Sequence, residues 1–361
     1  MMVKRLKVKN YRSLKEFEID FGKFNVLVGK NASGKSNIID CLKFIHDLSS
    51  SSINGIINLR GGYSKIVFGG NVNDNIKISI EFEIDSKTGK YSILFNESGM
   101  LEEKLEINGE SLFRYGYTPG MGMIAEFVNK DGETTRGNFY DRIFYYENKL
   151  HPSAQKFVKF IKSWRFYKFN IPRIRDVYRA VKNLELNEDG SNLAQVLLSL
   201  RTEKPKVFEK VEDKLKALIP EVEELLTPLT EDGKTYIAIR EKGFEEKFDY
   251  KQISDGTIVL LAYITAINLG SGLVCFEEPE NFVHPHLLKN LVNILRDGNQ
   301  VIISTHSPYF LDWVEPEELI IVEKEEGKTK ARRLKGEEVE IVKKSLEEGI
   351  TLGEYYFSAF S

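Results

Sequence analysis

The stretch Phe24-Asn-Val-Leu-Val-Gly-Lys-Asn-Ala-Ser-Gly-Lys-Ser-Asn37 decides the fold of this chain. Its first five residues predict a short buried strand, and the apolar spacing that follows it predicts a helix. Between them, every fixed position of the phosphate-binding motif G-x-x-x-x-G-K-[ST] is filled, by Gly29, Gly34, Lys35 and Ser36. Glycines allow the turn that directs backbone N–H groups at phosphate oxygens, and the helix N-terminus adds positive potential. The stretch therefore predicts a phosphate site on a strand–loop–helix unit; a chance glycine-rich turn is the alternative.

The side chains of this loop predict two contacts with a bound nucleotide. Lys35 can reach the β- and γ-phosphates, and the Ser36 hydroxyl can coordinate Mg²⁺. The other candidates for nucleotide contact are the remaining residues of the loop and the one that follows it, Lys30, Asn31, Ala32, Ser33 and Asn37.

Composition and charge restrict the class of protein. The 361 residues carry a net charge of −3, so any contact with nucleic acid needs a local patch. Cys41 and Cys275 stand in apolar surroundings without metal-ligand spacing, which predicts buried, reduced thiols. The first nine residues lack the apolar run of a signal peptide, and the longest apolar run, 258–269, is too short to cross a bilayer. We therefore expect a cytoplasmic protein with no membrane partner.

The pattern of apolar residues changes three times along the chain. Residues 3–21 predict two strands, and the near-alternation from 65 to 139 predicts an antiparallel meander. Helical spacing dominates from 152 to 226, and a hairpin is predicted between 236 and 250. From residue 252 onward helices and strands alternate, which predicts a βαβ unit, a strand pair at 319–333 and a last helix at 337–346.

An apolar strand with an acidic end is predicted at Leu273-Val-Cys-Phe-Glu-Glu-Pro-Glu280. This is the form of a Walker B strand, which places carboxylates at the carboxyl end of the sheet beside the phosphate loop. Of the adjacent pair Glu277 and Glu278, one carboxylate can hold the Mg²⁺ shell and the next can polarise the attacking water. A buried strand that merely exits through acidic residues is the alternative.

Two further segments are placed where an anion can bind. Ser254-Asp-Gly-Thr257 precedes an apolar helix, but taken alone it is better interpreted as a plain N-cap. Ser304-Thr-His-Ser-Pro308 ends the strand after Walker B, one crossover away from Glu278. Because ligands bind at the carboxyl ends of such strands, His306 and Glu278 can meet one phosphate.

One block of the chain is both basic and aromatic. Residues 156–182 contain nine basic residues and one acid, interleaved with aromatic side chains. Contact with nucleic acid is conceivable there. We favour the simpler interpretation, in which the aromatic residues belong to the core and the cations form a solvated face.

The order of these four motifs resembles the ABC-class ATPases of the RecF/SMC type, and more closely the small RecF-like ATPases without a long coiled coil. The likeness runs from Val3-Lys-Arg-Leu-Lys-Val-Lys-Asn-Tyr-Arg-Ser-Leu14 to Leu352-Gly-Glu-Tyr355. It implies an α/β P-loop NTPase fold, an ABC-type head with an antiparallel β subdomain and a helical lobe. We expect a single head over 1–361, with lobe I at 1–140 plus 235–361 and lobe II at 141–234.

The resemblance also implies roles for individual residues. Lys35 and Ser36 bind phosphate and Mg²⁺, Glu277 joins Ser36 in the metal shell, and Arg12 stands near the nucleotide. Glu278 is the implied catalytic base and His306 the implied sensor of the γ-phosphate. The implied signature, which completes the site of a second subunit, consists of Ser254, Asp255 and Gly256.

Three departures from the family pattern accompany these roles. The metal position usually carries Asp, whereas this chain has Glu277. Asp255 stands where many ABC proteins have Gly. No Gln occurs between Ser36 and Gln155, so the usual glutamine ligand of the Q-loop is missing or replaced, and no adenine contact is assigned.

The implied function is Mg²⁺-dependent binding and hydrolysis of ATP, coupled to ATP-driven formation of a homodimer in DNA maintenance or repair. One alternative is a DNA-binding clamp in which ATP only gates closure; it predicts that DNA stimulates the ATPase. Another is the regulatory ATPase of a phage-defence system, which needs a partner nuclease and predicts a neighbouring nuclease gene.

Overall fold

The computed structural model of the protein describes residues 1–137 and 141–360. The chain divides into two compact units, which are described separately: unit 1 is Met1–Trp164 with Glu317–Val339, and unit 2 is Arg165–Pro316 with Glu340–Ser361. The division into lobes I and II stays a prediction, and its boundary at residue 140 lies outside the described residues.

The first part of the chain has the strands and the loop helix that the sequence predicts. These elements are β1 (Met2–Tyr11), β2 (Leu14–Asp20), β3 (Phe24–Val28) and α1 (Lys35–Asp47). Two short helices that were not predicted follow, α2 (Ile53–Leu59) and α3 (Tyr63–Ile66), and α3 lies where the meander was expected to begin. The meander follows as β4 (Ile76–Ile84), β5 (Lys87–Asn96), β6 (Gly99–Ile107), β7 (Glu110–Thr118), β8 (Gly122–Val128) and β9 (Thr134–Gly137). All five residues of β3 are buried, as its apolar pattern predicts.

The helical prediction for 152–226 is confirmed only in part. The elements are α4 (Pro152–Lys162), β10 (Arg165–Tyr167), α5 (Ile171–Ile174), β11 (Tyr178–Arg179), α6 (Leu193–Glu203), α7 (Pro205–Leu218) and β12 (Val222–Leu226). The prediction was wrong at β10, β11 and β12. All three strands are short, and β10 is paired with a strand far along the chain, so none of them leaves a clear local period.

The last part alternates between strands and helices, as predicted. Its elements are β13 (Lys234–Thr235), β14 (Ala238–Glu241), β15 (Lys247–Asp249), α8 (Asp255–Asn268), β16 (Val274–Glu277), α9 (Leu288–Arg296), β17 (Val301–Thr305), α10 (Pro308–Leu311), β18 (Leu319–Glu325), β19 (Lys328–Arg333), α11 (Glu337–Glu347) and α12 (Leu352–Phe360). The expectation that the helix near 337–346 is the last one was wrong, because α12 follows it.

Unit 1 contains two groups of paired strands. In the described residues the meander and the two N-terminal strands form one antiparallel sheet in the order β2-β1-β4-β5-β6-β7-β8-β9. Separately, β18 pairs in parallel with β3, with Leu319 opposite Val26, and antiparallel with β19. The strand that leads into the phosphate loop is therefore flanked by β18, and the β18–β19 hairpin lies beside it.

Unit 2 contains the parallel strands of the Walker B segment. β16 pairs in parallel with β10 on one side and with β17 on the other, with Glu277 opposite Ser304. Helix α9 connects β16 to β17, which confirms the predicted βαβ unit. Both predicted buried thiols, Cys41 in unit 1 and Cys275 in unit 2, are buried. Across the part of the chain described, no helix combines the length and the apolar character needed to cross a bilayer.

Candidate functional site: the phosphate loop and the Walker B corner

The phosphate loop requires its two fixed glycines because neighbouring strands approach it closely. A Cβ atom at Gly29 would lie 2.1 Å from the carbonyl oxygen of Val322 on β18. At Gly34, the N-cap of α1, φ is +111° and a Cβ would lie 1.9 Å from Oγ1 of Thr329. Both positions therefore exclude any side chain, and Gly34 also needs the conformational freedom of glycine.

Hydrogen bonds between hydroxyl and amide groups hold the loop on its buried side. Thr329, on β19, donates its hydroxyl proton to the carbonyl oxygen of Ser33 at 2.8 Å. The Ser13 hydroxyl lies 2.7 Å from Thr329 Oγ1 and accepts a hydrogen bond from Asn37 Nδ2, also at 2.7 Å. Thr329 and Ser13 are buried, so these contacts are shielded from water. The sequence analysis did not identify Thr329.

Lys35 is held by the loop that precedes it. Its ammonium group donates to the carbonyl oxygen of Gly29 at 2.5 Å and to that of Lys30 at 3.1 Å, and the residue is only 8% exposed. The tip of the loop, residues 30–32, is exposed, and so is Ser36 in the first turn of α1. The loop therefore combines a rigid buried side with an accessible side that carries the predicted metal-binding hydroxyl.

Arg12 is bound to the helix that starts at the phosphate loop. Its Nε lies 2.8 Å from Oδ2 of Asp40, one turn after Ser36 on α1. Asp40 also accepts a hydrogen bond from the Tyr11 phenol at 2.5 Å and from Arg60 Nε at 3.1 Å. Burial, and then the charge of Asp40, raises the pKa of Tyr11, so the phenol stays protonated and donates.

The Walker B strand and the following strand bring Glu278 and His306 together, as predicted. Nδ1 of His306 lies 3.4 Å from Oε1 of Glu278, and Asn281 Nδ2 donates to the other carboxylate oxygen at 3.2 Å. Glu278 has a φ of +49°, and its N–H donates to the carbonyl oxygen of Ser304 at 2.8 Å. A glutamate in the left-handed region is uncommon and costs free energy, which marks this turn as a constrained feature.

Two neighbours of this pair were not identified from the sequence. Thr305 donates its hydroxyl proton to Oε1 of Glu280 at 2.5 Å and accepts a hydrogen bond from the N–H of Ser307 at 3.0 Å. Burial raises the pKa of the Glu280 carboxyl, and the hydrogen bond from Thr305 lowers it in part. These contacts hold the backbone on both sides of His306.

Glu277, the implied metal ligand, ends β16 after three buried residues. Its side chain is 23% exposed, and Lys168 Nζ lies 4.0 Å from its Oε2. The carboxylate is therefore at the accessible end of the strand, as the sequence predicts for a Walker B position.

The signature segment has the geometry of an N-cap. Ser254 Oγ accepts a hydrogen bond from the N–H of Thr257 at 3.1 Å, and α8 begins at Asp255. Asp255 forms an ion pair of 2.6 Å with Arg175. Ser254 and Asp255 are exposed, and the nearest atom that a Cβ at Gly256 would meet among the described residues is the carbonyl oxygen of Phe282, at 3.7 Å.

Most cations of the basic block are paired with carboxylates. Seven of its basic residues lie within 4.0 Å of an acid in the described residues: Lys156 with Asp85, Lys162 with Glu147, Arg165 with Glu185, Lys168 with Glu277, Arg173 with Asp189, Arg175 with Asp255 and Lys182 with Glu203. Five of its aromatic residues are buried, namely Phe157, Phe160, Trp164, Phe166 and Tyr167. Both findings favour the interpretation in which the aromatic residues of this block belong to the core and its cations form a solvated face.

The predicted residues therefore form two groups. The phosphate loop and Arg12 belong to unit 1, whereas Glu277, Glu278, His306 and the signature belong to unit 2. Among the described residues, no group of three or more His, Cys, Asp or Glu side chains is arranged to hold a metal ion.

Comparisons with known proteins agree with this assembly of motifs. The family described as "AAA domain, putative AbiEii toxin, Type IV TA system" matches residues 24–116 and 128–312. The chain is 26% identical to the DNA replication and repair protein RecF of Oenococcus oeni over 206 residues, covering 54% of this chain and 52% of that one. RecF of Clostridioides difficile is 25% identical over 189 residues, covering 52% and 46%. The chain thus spans about half the length of these relatives.

Other relatives match over more of the chain. The Old nuclease of Escherichia phage P2 is 24% identical over 410 residues, covering 98% of this chain and 65% of the nuclease. The solved structure titled "SMC head domain from Thermotoga maritima" has a TM-score of 0.53 at 16% identity and covers 93% of this chain and 100% of that one. An SMC head bound to the C-winged helix domain of ScpA has a TM-score of 0.61 at 15% identity, covering 93% and 99%.

The two structural neighbours confirm the predicted fold class, an ABC-type head with mixed α/β architecture. The family match covers well over half of the chain and contains the phosphate loop, the signature, the Walker B strand and His306. The chain therefore belongs to this AAA-domain family and is a RecF/SMC-like P-loop ATPase of the ABC class.

Proposed function

We propose that the protein binds Mg²⁺-ATP, hydrolyses it with Glu278 as general base, and couples hydrolysis to a homodimer that serves DNA maintenance or repair. The observation that carries the proposal is the contact between His306 and Glu278 at the carboxyl ends of two neighbouring parallel strands. Fold and family support ATP as the substrate. The assignment of both units to one nucleotide depends on the order of the motifs in the family.

The phosphate loop fits a nucleotide phosphate chain. Gly29 and Gly34 place no side chain where β18 and β19 approach the loop, and its tip, residues 30–32, is exposed, so backbone N–H groups there suit phosphate oxygens. Lys35 carries a positive charge on the same loop. Mg²⁺ binds proteins through one or two side chains together with substrate phosphates, so Ser36 and Glu277 are a sufficient protein contribution. The metal, when bound, neutralises charge that develops on the phosphates.

Glu278 is suited to orient and deprotonate water. Two neighbours, His306 and Asn281, contact its two carboxylate oxygens and restrict its rotamers. The positive φ of Glu278 turns the backbone at the end of the Walker B strand. A general base held in this way contributes about 10²–10⁴-fold to a reaction rate. His306 positions the carboxylate and is the group that we propose responds to the γ-phosphate.

The dimer completes each site in this proposal. Ser254 and Asp255 are exposed at the start of α8 and Gly256 is partly exposed, so the segment is accessible to a second subunit. The interface would be isologous, so two identical ATP sites form. Since the γ-phosphate touches both subunits, its loss on hydrolysis releases the dimer.

The test is the variant Glu278→Gln, which preserves side-chain size and removes the base. We expect phosphate release to fall by about 100-fold or more, with ATP binding retained and a stable dimer in Mg²⁺-ATP by light scattering after size exclusion. Adding Ser254→Arg should restore the monomer by clash and charge. Glu326→Gln is a matched control, because Glu326 also has a positive φ, +50°, but lies in the exposed β18–β19 turn.

Two results would contradict the proposal. Unchanged ATP turnover in Glu278→Gln would show that Glu278 is not the general base. A double variant that dimerises with ATP as well as Glu278→Gln does would show that Ser254 is only a helix cap.

The match to Old nuclease over 98% of this chain favours a second candidate, a regulatory ATPase that acts with a partner nuclease. The two candidates differ in their response to DNA alone. A protein of DNA maintenance, or a clamp gated by ATP, should hydrolyse ATP faster when single- or double-stranded DNA is added. A regulatory ATPase should need its partner, so DNA alone should leave turnover unchanged.

A further inference from the structure

The C-terminal helix α12 packs on the segment that directly follows His306. Its residues Leu352 and Tyr356 are buried, with exposures of 2% and 4%, and the helix contacts the short helix α10 in the same unit. A reciprocal capping box closes the N-terminus of α12: the N–H of Thr351 donates to Glu354, and the N–H of Glu354 donates to the Thr351 hydroxyl. The N-terminal end of α12, which contacts α10, is therefore stabilised by its own capping hydrogen bonds.

Gly353 makes the closest of these contacts. A Cβ atom there would lie 2.4 Å from the carbonyl oxygen of Pro308 and 2.8 Å from Oδ1 of Asp312. The N–H of Gly353 donates to that same Asp312 oxygen at 3.0 Å. The backbone of Gly353 thus packs against the backbone of Pro308, and the hydrogen bond to the Asp312 carboxylate at the end of α10 stabilises this contact. Only glycine permits this approach, because the obstructing atoms include main chain.

Pro308 is separated from His306 by one residue, and that residue has little freedom. The N–H of Ser307 donates to Thr305 Oγ1 at 3.0 Å, and its hydroxyl accepts from the N–H of Phe310 at 3.4 Å. His306 therefore lies in a short segment between the end of β17 and the start of α10, and hydrogen bonds of Ser307 join this segment to both elements. A displacement of the Pro308 carbonyl therefore has a short, hydrogen-bonded path to His306.

We propose that Gly353 and Asp312 are positioning residues for His306, so that the docked helix α12 sets the rate of ATP turnover without contacting the nucleotide. The inference rests on the function proposed for His306. Its physical basis is that misplacement of a reacting or sensing group by about 1 Å can cost on the order of 100-fold in rate.

The first test is Gly353→Ala, assayed for ATP turnover and for binding of a fluorescent ATP analogue. We expect kcat to fall by about 10-fold, with nucleotide affinity unchanged within about twofold, because a shift of a few tenths of an ångström is smaller than the 1 Å case. Gly55→Ala is the matched control: Gly55 lies in the first turn of α2, its N–H also donates to a side chain, and it lies in unit 1. Its kcat should not change.

Asp312 provides a second test that adds no atoms to the contact. Asp312→Ala removes the acceptor for Gly353 and should lower kcat in the same direction. Asp312→Asn retains a carbonyl oxygen at this position and should restore turnover to near the wild-type rate. A merely structural role for the carboxylate charge would leave the asparagine variant as slow as the alanine variant.

A double-mutant cycle with His306→Ala separates positioning from general destabilisation. If α12 acts through His306, Gly353→Ala should cause no further loss of kcat in the His306→Ala background. If His306→Ala slows turnover and Gly353→Ala slows it by the same factor again, or if Gly353→Ala alone has no effect, this inference is wrong and the proposed function stands. If His306→Ala leaves kcat unchanged, the role assigned to His306 fails, and this inference fails with it.

Discussion

The phosphate loop and the signature segment both introduce a helix with a glycine, but their surroundings differ. At the phosphate loop, Cβ atoms on Gly29 and Gly34 would collide with β18 and β19, and Thr329 fastens the loop by hydrogen bonds. At the signature, Ser254 is exposed and hydrogen-bonds to Thr257 of its own helix, and the nearest described atom to a Cβ added at Gly256 is the Phe282 carbonyl oxygen, at 3.7 Å. The first segment is determined by its own subunit, whereas the second has room for another molecule.

Together with the proposed dimer, this difference predicts that substitutions in the loop act within one subunit and that substitutions in the signature act between subunits. Three variants test this, in order of decreasing effect on ATP binding.

Gly34→Ala should have the largest effect. The new Cβ would lie 1.9 Å from Thr329 Oγ1, at a φ of +111°. We expect nucleotide binding to be lost, which ATP titration measures. Backbone strain should also lower the free energy of unfolding by about 1–3 kcal/mol, which thermal unfolding measures. Gly109→Ala is the control, because Gly109 has a φ of +82° and a Cβ added there would have no atom of the described chain within 4 Å. Equal loss of ATP binding in both variants would show that the close approach of Thr329 to Gly34 is not the cause.

Thr329→Val should have an intermediate effect. The substitution preserves shape but removes the hydroxyl that joins Ser13 to the Ser33 carbonyl, so the Ser33 carbonyl loses this donor while the Ser13 hydroxyl keeps its bond from Asn37. We expect a loss of about 1–3 kcal/mol in stability and weaker ATP binding. Thr88→Val, on an exposed position of β5, is the matched control. ATP affinity at the wild-type level would show that the loop holds its shape without this bridge.

Ser254→Ala should have the smallest effect on ATP binding by a single subunit. Removal of the N-cap costs about 1 kcal/mol of stability, and Ser52→Ala removes an equivalent cap of 3.1 Å from α2. Both variants should lose similar stability, but only Ser254→Ala should weaken the ATP-dependent dimer of Glu278→Gln. Equal dimer formation by the two variants would assign Ser254 a purely structural role.

Much of the site could be predicted because its chemistry is encoded at short range. The phosphate loop has fixed spacing between a strand and a helix, and the Walker B strand has an apolar run that ends in acids. The encounter of Glu278 with His306 was also predictable, since parallel strands joined by one crossover end at the same edge of a sheet.

Other elements were decided by the tertiary structure alone. The three-residue strand β10 exists because β16 offers it a hydrogen-bonding edge, and α12 is held by a glycine contact with α10. Thr329 reaches the Ser33 carbonyl across 296 residues of sequence. Local periodicity reports which face of a segment is buried, but it carries no information on which distant residue covers that face. The sequence by itself therefore determined the motifs and their order, and packing between distant segments decided how each motif is held.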